Sequence, residues 1–160
     1  MIEKYLSKFS KEDKGVYIEV SFDEETSEKL DELQRLLGLE VTSDFHTTLI
    51  YSRKGDLPDI YDIEYLYGSE IYGDKIERWN TPDGDVIVLK LESYKSPLQT
   101  AFQELSEKHE YTFDYDEYTP YITLATNVHP DEKVNLGLRV PHFYGIIKTI
   151  SVSQLDTNQE

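Results

Sequence analysis

The stretch Phe45-His46-Thr47-Thr48-Leu49-Ile50-Tyr51 decides the fold, because it predicts a buried β-strand with a polar pair on one face. Side chains alternate between the two faces of a strand, so His46 and Thr48 lie on the same face. Phe45, Thr47 and Leu49 lie on the opposite face. An imidazole exchanges protons near neutral pH, and a hydroxyl holds an oxygen atom by hydrogen bonding. The strand therefore predicts a site at which proton transfer and oxygen binding occur side by side.

A second stretch, Pro120-Tyr121-Ile122-Thr123-Leu124-Ala125, repeats this layout. Tyr121 and Thr123 share one face of the predicted strand, and Ile122 and Leu124 share the other. Tyr121 occupies the position that His46 occupies in the first stretch. The chain is therefore expected to present two matched polar pairs to whatever binds between them.

The segments before the two motifs also repeat. A strand is predicted over 16–22, and Asp23 caps a predicted helix that runs to about Leu37. Its expected apolar stripe consists of Leu30, Leu33, Leu36 and Leu37. A second strand is predicted over 86–91, followed by a helix that Ser96 caps, with Pro97 in its first turn. Each motif strand thus completes a strand-helix-strand unit.

This repetition predicts an α+β fold with two lobes, in which two pseudo-symmetric strand-helix-strand units and mainly antiparallel sheets surround a central cleft. We expect a single domain over residues 1–160. The first lobe is predicted over about 15–55 and the second over about 85–128. The segment 56–84 and a C-terminal strand over 143–152 are predicted to complete the sheets.

Two segments do not follow the repeat. Residues 1–14 are polar and are predicted as a short helix or an arm. Residues 60–79 are rich in tyrosine and fit either strand or irregular structure, except that a strand is predicted near Trp79.

Composition narrows the class of protein. The 160 residues include no cysteine, so disulfides and thiolate chemistry are excluded. A net charge of −16 opposes binding of long nucleic acid, whose phosphates it repels, but leaves a small phosphorylated ligand possible. No apolar run approaches the roughly 18 residues of a membrane span, and the first residues lack a signal-peptide layout. We therefore expect a cytoplasmic protein with no membrane partner.

The motifs His46-Thr47-Thr48-Leu49 and Tyr121-Ile122-Thr123-Leu124 resemble those of the two-histidine (2H) phosphoesterase superfamily. In that superfamily two His-x-Thr motifs face each other across a cleft between two similar lobes. Within it, the chain is most similar to phage anti-CBASS phosphodiesterases, which cut the cyclic di- and trinucleotide signals of bacterial CBASS systems. The likeness covers roughly residues 15–152, with histidine in the family pattern where this chain has Tyr121.

The resemblance implies a metal-independent cyclic-oligonucleotide phosphodiesterase, a hydrolase without cofactors that acts in the infected host cell on signals such as cGAMP. One histidine removes the proton of a ribose 2′-hydroxyl, which attacks the adjacent phosphodiester, and the other protonates the leaving 5′-oxygen. Catalytic roles then fall to His46 as base, to Tyr121 as weak acid or phosphate donor, and to Thr48 and Thr123 as phosphate-binding residues. A phenol, with an ordinary pKa of about 10, is a poor base at neutral pH. If Tyr121 does not replace the second histidine, a rate loss of roughly 10²–10⁴ is expected.

Four further residues are expected to contact the ligand: Tyr17, Trp79, Lys90 and Lys148. Aromatic rings stack on bases, and ammonium groups attract phosphate. Blocking of an edge strand is the alternative role for the lysines, and core packing is the alternative for Trp79. His129 or His142, each beside a proline, is an alternative source of the missing imidazole. No cluster of His, Asp or Glu has metal-ligand spacing, so no metal site is predicted.

Two rival functions are also compatible with the sequence. The first is a sponge that binds and sequesters the cyclic nucleotide without cleaving it. The second is an RNA-end or 2′,3′-cyclic phosphodiesterase of the same superfamily. The sequence leaves open which cyclic nucleotide is bound and what the oligomeric state is.

Overall fold

The computed structural model describes residues 14–156 except 43, 135, 137–139 and 141. Within this part the strands are β1 (Lys14–Phe22), β2 (His46–Ser52), β3 (Glu70–Thr81), β4 (Gly84–Leu91), β5 (Tyr121–Val128) and β6 (Tyr144–Asp156). Helix α1 spans Glu24–Leu36, helix α2 spans Pro97–Lys108, and a 3₁₀ helix spans Ile60–Leu66. The helix or arm predicted for residues 1–14 lies outside the described residues, apart from Lys14, which begins β1.

The six strands form one open antiparallel sheet in the order β2-β1-β6-β3-β4-β5. The predicted α+β class with mainly antiparallel strands is confirmed. Each strand-helix-strand unit places its motif strand at one outer edge, with the first strand of the unit beside it. Strands β6 and β3 pair in the middle of the sheet and connect the two units.

The two units are related down to the register of their strands. In the first, Glu19 of β1 pairs with Thr48, and the ladder then skips Leu49. In the second, Val88 of β4 pairs with Thr123, and the ladder skips Leu124. A β-bulge therefore follows the threonine of each motif, and bulges of this kind re-aim the side chains beside them. This equivalence supports the pseudo-symmetry that the repeated sequence predicts.

Helix α1 forms as predicted, but its buried face differs from the expected leucine stripe. Asp23 caps the helix by accepting a hydrogen bond from the Thr26 amide at 2.8 Å. Leu30 and Leu33 are buried, whereas Leu36 is 73% exposed, so its assignment to the core was wrong. Leu37, just past the helix, is also buried, as predicted. Gln34 is buried in addition, because it lies one turn after Leu30 on the same face.

The tyrosine-rich segment after β2 contains a 3₁₀ helix, a structure that the sequence left unassigned. The Asp59 side chain caps it by accepting a hydrogen bond from the Tyr61 amide at 3.0 Å. Ile63 and Leu66, three residues apart, are buried, whereas Tyr61 is exposed. In a helix of three residues per turn these two apolar side chains lie on the same side, so both pack into the core.

Candidate ligand-binding cleft

The cleft lies where the two edge strands of the open sheet approach each other. Tyr118, just before β5, donates a hydrogen bond of 2.8 Å to the carbonyl oxygen of Thr48 in β2. Buried Gln34 of α1 donates one of 2.9 Å to the carbonyl oxygen of Leu124 in β5. These two bonds tie the halves of the molecule together. The cavity between the two strand-helix-strand units has a volume of about 390 Å³. It is lined by Tyr17, Thr48, Tyr51, Trp79, Tyr115, Glu117, Tyr118, Thr119 and Tyr121.

The wall on the first unit is a row of polar side chains, of which Tyr17, Glu19 and Thr48 are hydrogen-bonded. Tyr17 donates to the Glu19 carboxylate at 2.8 Å, and its hydroxyl oxygen lies 3.1 Å from the hydroxyl oxygen of Thr48. Because Tyr17 donates its hydroxyl proton to Glu19, Thr48 is the donor in the hydrogen bond between Thr48 and Tyr17. The Nε2 atom of His46 lies 3.6 Å from the same oxygen atom of Glu19. Burial raises the pKa of Tyr17 to about 12, so its hydroxyl stays protonated at neutral pH.

The wall on the second unit is built from Tyr121 and Trp79. Their rings meet edge to face, with centroids 4.8 Å apart and planes at 72°. The indole N–H of Trp79 donates to the Glu77 carboxylate at 2.8 Å. Lys90 lies opposite Tyr121 in the β4–β5 ladder, and its Nζ atom lies 3.5 Å from Glu77. The aromatic surface of this wall therefore stands beside a paired carboxylate and ammonium.

The third wall is the segment that links α2 to β5, and it is anchored by stacked rings. Phe102 of α2 stacks on Tyr118, with centroids 4.4 Å apart and planes at 5°. Phe113 packs on Phe102 at 4.8 Å and on Tyr115 at 5.4 Å. Burial raises the pKa of Tyr115 to about 12. Because these rings support one another, a segment without helix or strand can still form a fixed wall.

The structure brings most of the predicted site residues to one face, at different distances from the cavity. Tyr17, Thr48, Trp79 and Tyr121 line the cavity. His46 lies beside it, two residues from Thr48 on the same strand face and linked to it through Glu19 and Tyr17. The other three predicted site residues do not line the cavity. Thr123 pairs with Val88 in the β4–β5 ladder, Lys90 contacts Glu77, and Lys148 is exposed on β6.

The alternative histidines do not line the cavity either. His129 is exposed after β5, where its Nδ1 atom accepts a hydrogen bond of 3.1 Å from the Asp131 amide. His142 is also exposed. Both remain alternatives from the sequence, and neither adds an imidazole to the cavity lining.

Several cleft residues were not predicted from the sequence. Glu19 and Glu77 accept the ring donors Tyr17 and Trp79, each two residues away on the same strand face. The alternation of the strands carries this signal, because residues i and i+2 share a face. Tyr115, Glu117 and Thr119 lie in a segment without periodicity, which gives no such signal.

Neither a metal site nor a membrane-spanning helix is found among the described residues. In the ranges 14–42, 44–134 and 142–156, no three carboxylate or imidazole side chains converge as a metal site requires. Within the same part of the chain, no helix has both the length and the apolar character needed to cross a bilayer.

The fold and cleft define an α+β protein with a ring-lined cavity of the size of small-ligand sites, which span roughly 300–1,000 Å³. The chain belongs to the anti-CBASS protein Acb1 family, whose family model matches residues 14–142.

Three relatives illustrate the match, each an anti-CBASS protein Acb1 from a bacteriophage. The protein of Escherichia phage RB16 is 35% identical over 116 residues, which are 71% of this chain but only 64% of the relative. The protein of Enterobacteria phage T4 is 33% identical over 72% of this chain and 74% of the relative. That of Vibrio phage KVP40 is 34% identical over 75% and 77%. The matched family region contains both motif strands and every cavity-lining residue.

Proposed function

We propose that this protein removes a cyclic di- or trinucleotide signal of the host by metal-independent phosphodiester cleavage, in the cytoplasm of an infected bacterium. The observation that carries the proposal is that Thr48 and Tyr121, one from each motif strand, line the same cavity. The family relationship supports a cyclic-nucleotide ligand. The matched bulges after Thr48 and Thr123 support a 2H phosphoesterase-like arrangement.

In the proposed reaction His46 acts as the base. Its imidazole takes the proton of a ribose 2′-hydroxyl, and the 2′-oxygen forms a bond to the adjacent phosphorus. The bond from phosphorus to the 5′-oxygen breaks, which leaves a 2′,3′-cyclic phosphate. The 5′-oxygen receives the hydroxyl proton of Tyr121, and solvent carries the proton of His46 back to Tyr121. Each turnover thus opens one linkage and consumes no cofactor.

The threonines hold the phosphate in this scheme. Thr48 lines the cavity, and in the free protein its hydroxyl proton is shared with Tyr17 at 3.1 Å. A phosphate oxygen is a stronger acceptor than a neutral phenol, since hydrogen bonds to charged groups are roughly twice as strong. Ligand binding would therefore turn the Thr48 hydroxyl from Tyr17 toward phosphate. Thr123 occupies the equivalent position after Tyr121 and supplies the second donor.

The rings supply the affinity for bases. Tyr51, Trp79 and Tyr115 line the cavity with Tyr17 and Tyr121. Base–aromatic stacking contributes about 1–3 kcal/mol per base and does not depend on the identity of the base. A pocket of this kind is expected to accept several cyclic nucleotides rather than a single one.

Sequestration is the second candidate function, and one observation favours it. The position of the second catalytic histidine holds Tyr121, whose ring packs edge to face on Trp79 and so contributes to the aromatic wall. A phenol in that position binds and donates a hydrogen bond but is a poor base. A sponge would use the same cavity and the same rings.

One experiment separates these functions. Purified protein is incubated with 3′,3′-cGAMP, a cyclic trinucleotide and a short RNA ending in a 2′,3′-cyclic phosphate, and the products are resolved by chromatography and mass spectrometry. Linear products with a 2′,3′-cyclic phosphate support the proposed cleavage. Intact cyclic nucleotide retained by the protein on gel filtration supports the sponge. Opening of the RNA end, with neither cleavage nor binding of the cyclic nucleotides, overturns both.

A further inference from the structure

Glu77 of β3 is the point at which the second wall of the cleft is held together. One of its carboxylate oxygens accepts the indole N–H of Trp79 at 2.8 Å. The other lies 3.1 Å from the Nζ atom of Lys75 and 3.5 Å from that of Lys90. The side chain of Glu77 is 27% exposed, so these contacts are only partly screened by water. A single carboxylate thus binds three donors from two neighbouring strands.

The register of the strands explains why these groups meet. Glu77 and Trp79 are two residues apart on β3 and share a face. Lys75 of β3 pairs with Lys90 of β4, which in turn pairs with Tyr121 of β5. All five side chains therefore belong to the face of the sheet that carries the cleft. Of the five, only the two rings are among the residues that line the cavity.

We propose that Glu77 is a positioning residue, whose carboxylate fixes the indole of Trp79 against the ring of Tyr121 and so presents a stacking surface to a base of the ligand. The ligand class rests on the function proposed above, whereas the fixing of the indole does not. The three donors also change the pKa of the carboxylate itself. The hydrogen bond from Trp79, aided by Lys75 and Lys90, holds the pKa of Glu77 below its ordinary value.

The chemistry of the contact explains why a carboxylate is used here. An indole has one polar atom, a donor, so one acceptor is enough to choose among the orientations of its ring. The two lysines balance the charge of Glu77, which would otherwise repel a phosphate in the cleft. Tyr121 packs on Trp79, so an indole free to rotate would also release the phenol.

Trp79 is the only tryptophan of the chain, so tryptophan fluorescence reports on the surroundings of this indole. The test compares Glu77→Ala, which removes the acceptor, with Glu77→Gln, whose amide oxygen still accepts the indole N–H. The matched control is Glu70→Ala on the same strand. Glu70 likewise accepts a hydrogen bond from a ring two residues away, that of exposed Tyr72, but lies outside the cavity lining.

Without ligand, the readout is quenching of Trp79 fluorescence by acrylamide. We expect Glu77→Ala to raise the quenching constant at least twofold and Glu77→Gln and Glu70→Ala to leave it near the wild-type value. Equal quenching in Glu77→Ala and wild type, with circular dichroism unchanged, would overturn the positioning role. This arm does not depend on any ligand.

With ligand, 3′,3′-cGAMP is titrated into each protein by calorimetry. Loss of a fixed stacking surface is expected to weaken binding on the order of 10-fold in Glu77→Ala, with most of the affinity restored in Glu77→Gln. Binding in Glu77→Ala equal to wild type would refute the link between the indole and the ligand. If wild-type protein binds no cyclic nucleotide, the proposed function fails, and the quenching arm still decides whether Glu77 fixes Trp79.

Discussion

The hydroxyl of Tyr118 donates a hydrogen bond of 2.8 Å to the carbonyl oxygen of Thr48, which joins the segment before β5 to edge strand β2. Tyr118 is only 6% exposed, and its ring stacks on Phe102 of α2. One residue therefore contacts the first motif, the second helix and the cavity. We interpret the hydrogen bond from Tyr118 to Thr48 as the closure of the cleft, the contact that sets its width.

Removal of that hydroxyl tests the closure. Tyr118→Phe keeps the stacked ring but leaves the Thr48 carbonyl without this donor, so we expect a loss of about 1–2 kcal/mol in the free energy of unfolding. Urea denaturation measures it. Tyr94→Phe is the control, because Tyr94 is 76% exposed and a surface change of this kind is nearly neutral. Equal stability of the two variants would show that the bond contributes little.

The orientation of α1 is tested by two leucines of the same helix. Leu33 is 7% exposed and Leu36 is 73% exposed, although both were expected in the core. Leu33→Ala should destabilise the protein by about 2–5 kcal/mol, the usual range for a buried leucine, whereas Leu36→Ala should change stability by less than about 0.5 kcal/mol. The midpoint of urea unfolding gives both values. A larger loss of stability in Leu36→Ala than in Leu33→Ala would show that α1 turns its other face to the core.

Alkaline pH should weaken the fold through its tyrosines. Burial raises the pKa of Tyr17, Tyr111 and Tyr115 to about 12 from an ordinary value of 10. A group whose pKa is raised on folding stabilises the folded state fully below pH 10, and this contribution is lost as pH rises from about 10 to about 12. We expect the free energy of unfolding to fall across that window, and more gently in Tyr17→Phe.

Absorbance at 295 nm provides a direct check, since it records tyrosinate formation. In the native protein a fraction of the 13 tyrosines should ionise only near pH 12, and in denaturant all should ionise near pH 10. A single native transition near pH 10 would contradict the burial of these hydroxyls.

The sequence predicted the elements whose side chains repeat and missed those whose side chains do not. The strands around His46 and Tyr121 alternate with period two, and the helices after Asp23 and Ser96 have polar caps. These local rules led to the α+β class and the repeated units. They also placed Thr48 and Tyr121 on strand faces that the fold brings to one cavity.

What the sequence did not provide depends on contacts between distant parts of the chain. Buried Gln34 looks like a surface residue until its bonds to Leu124 and Thr42 are seen. The segment with Tyr115 and Tyr118 packs on Phe102, with the ring of Tyr118 stacked and that of Tyr115 tilted, and such contacts have no signature in sequence spacing. The partnership of Glu19 with His46 likewise requires the pairing of β1 with β2.

The tyrosine in the second motif leads to a gain-of-function prediction. Tyr121→His supplies a second group that titrates near neutral pH, so the rate of cyclic-nucleotide cleavage should rise, by up to about 10²–10⁴ if the imidazole is well placed. Binding should change less, because a ring and a hydrogen bond are retained. The rate of 3′,3′-cGAMP cleavage measures the first effect and calorimetry the second.

The same prediction has a geometric limit and a clear failure. Tyr121 fills space against Trp79, and a misplacement of about 1 Å by the smaller imidazole can cost 10²-fold in rate. A small gain is therefore compatible with the role assigned to this position. A tenfold or greater loss of cleavage, with affinity unchanged, would instead show that the phenol is itself the better catalyst there.

The most direct test of the central claim is the rate of 3′,3′-cGAMP cleavage by wild-type protein and by His46→Ala, both measured in excess EDTA with binding followed in parallel. The account predicts that the wild-type protein cleaves despite the chelator. It also predicts that His46→Ala still binds the nucleotide but loses cleavage by at least about 10²-fold. Cleavage that EDTA abolishes and a divalent ion restores, or cleavage that persists unchanged in His46→Ala, would contradict it.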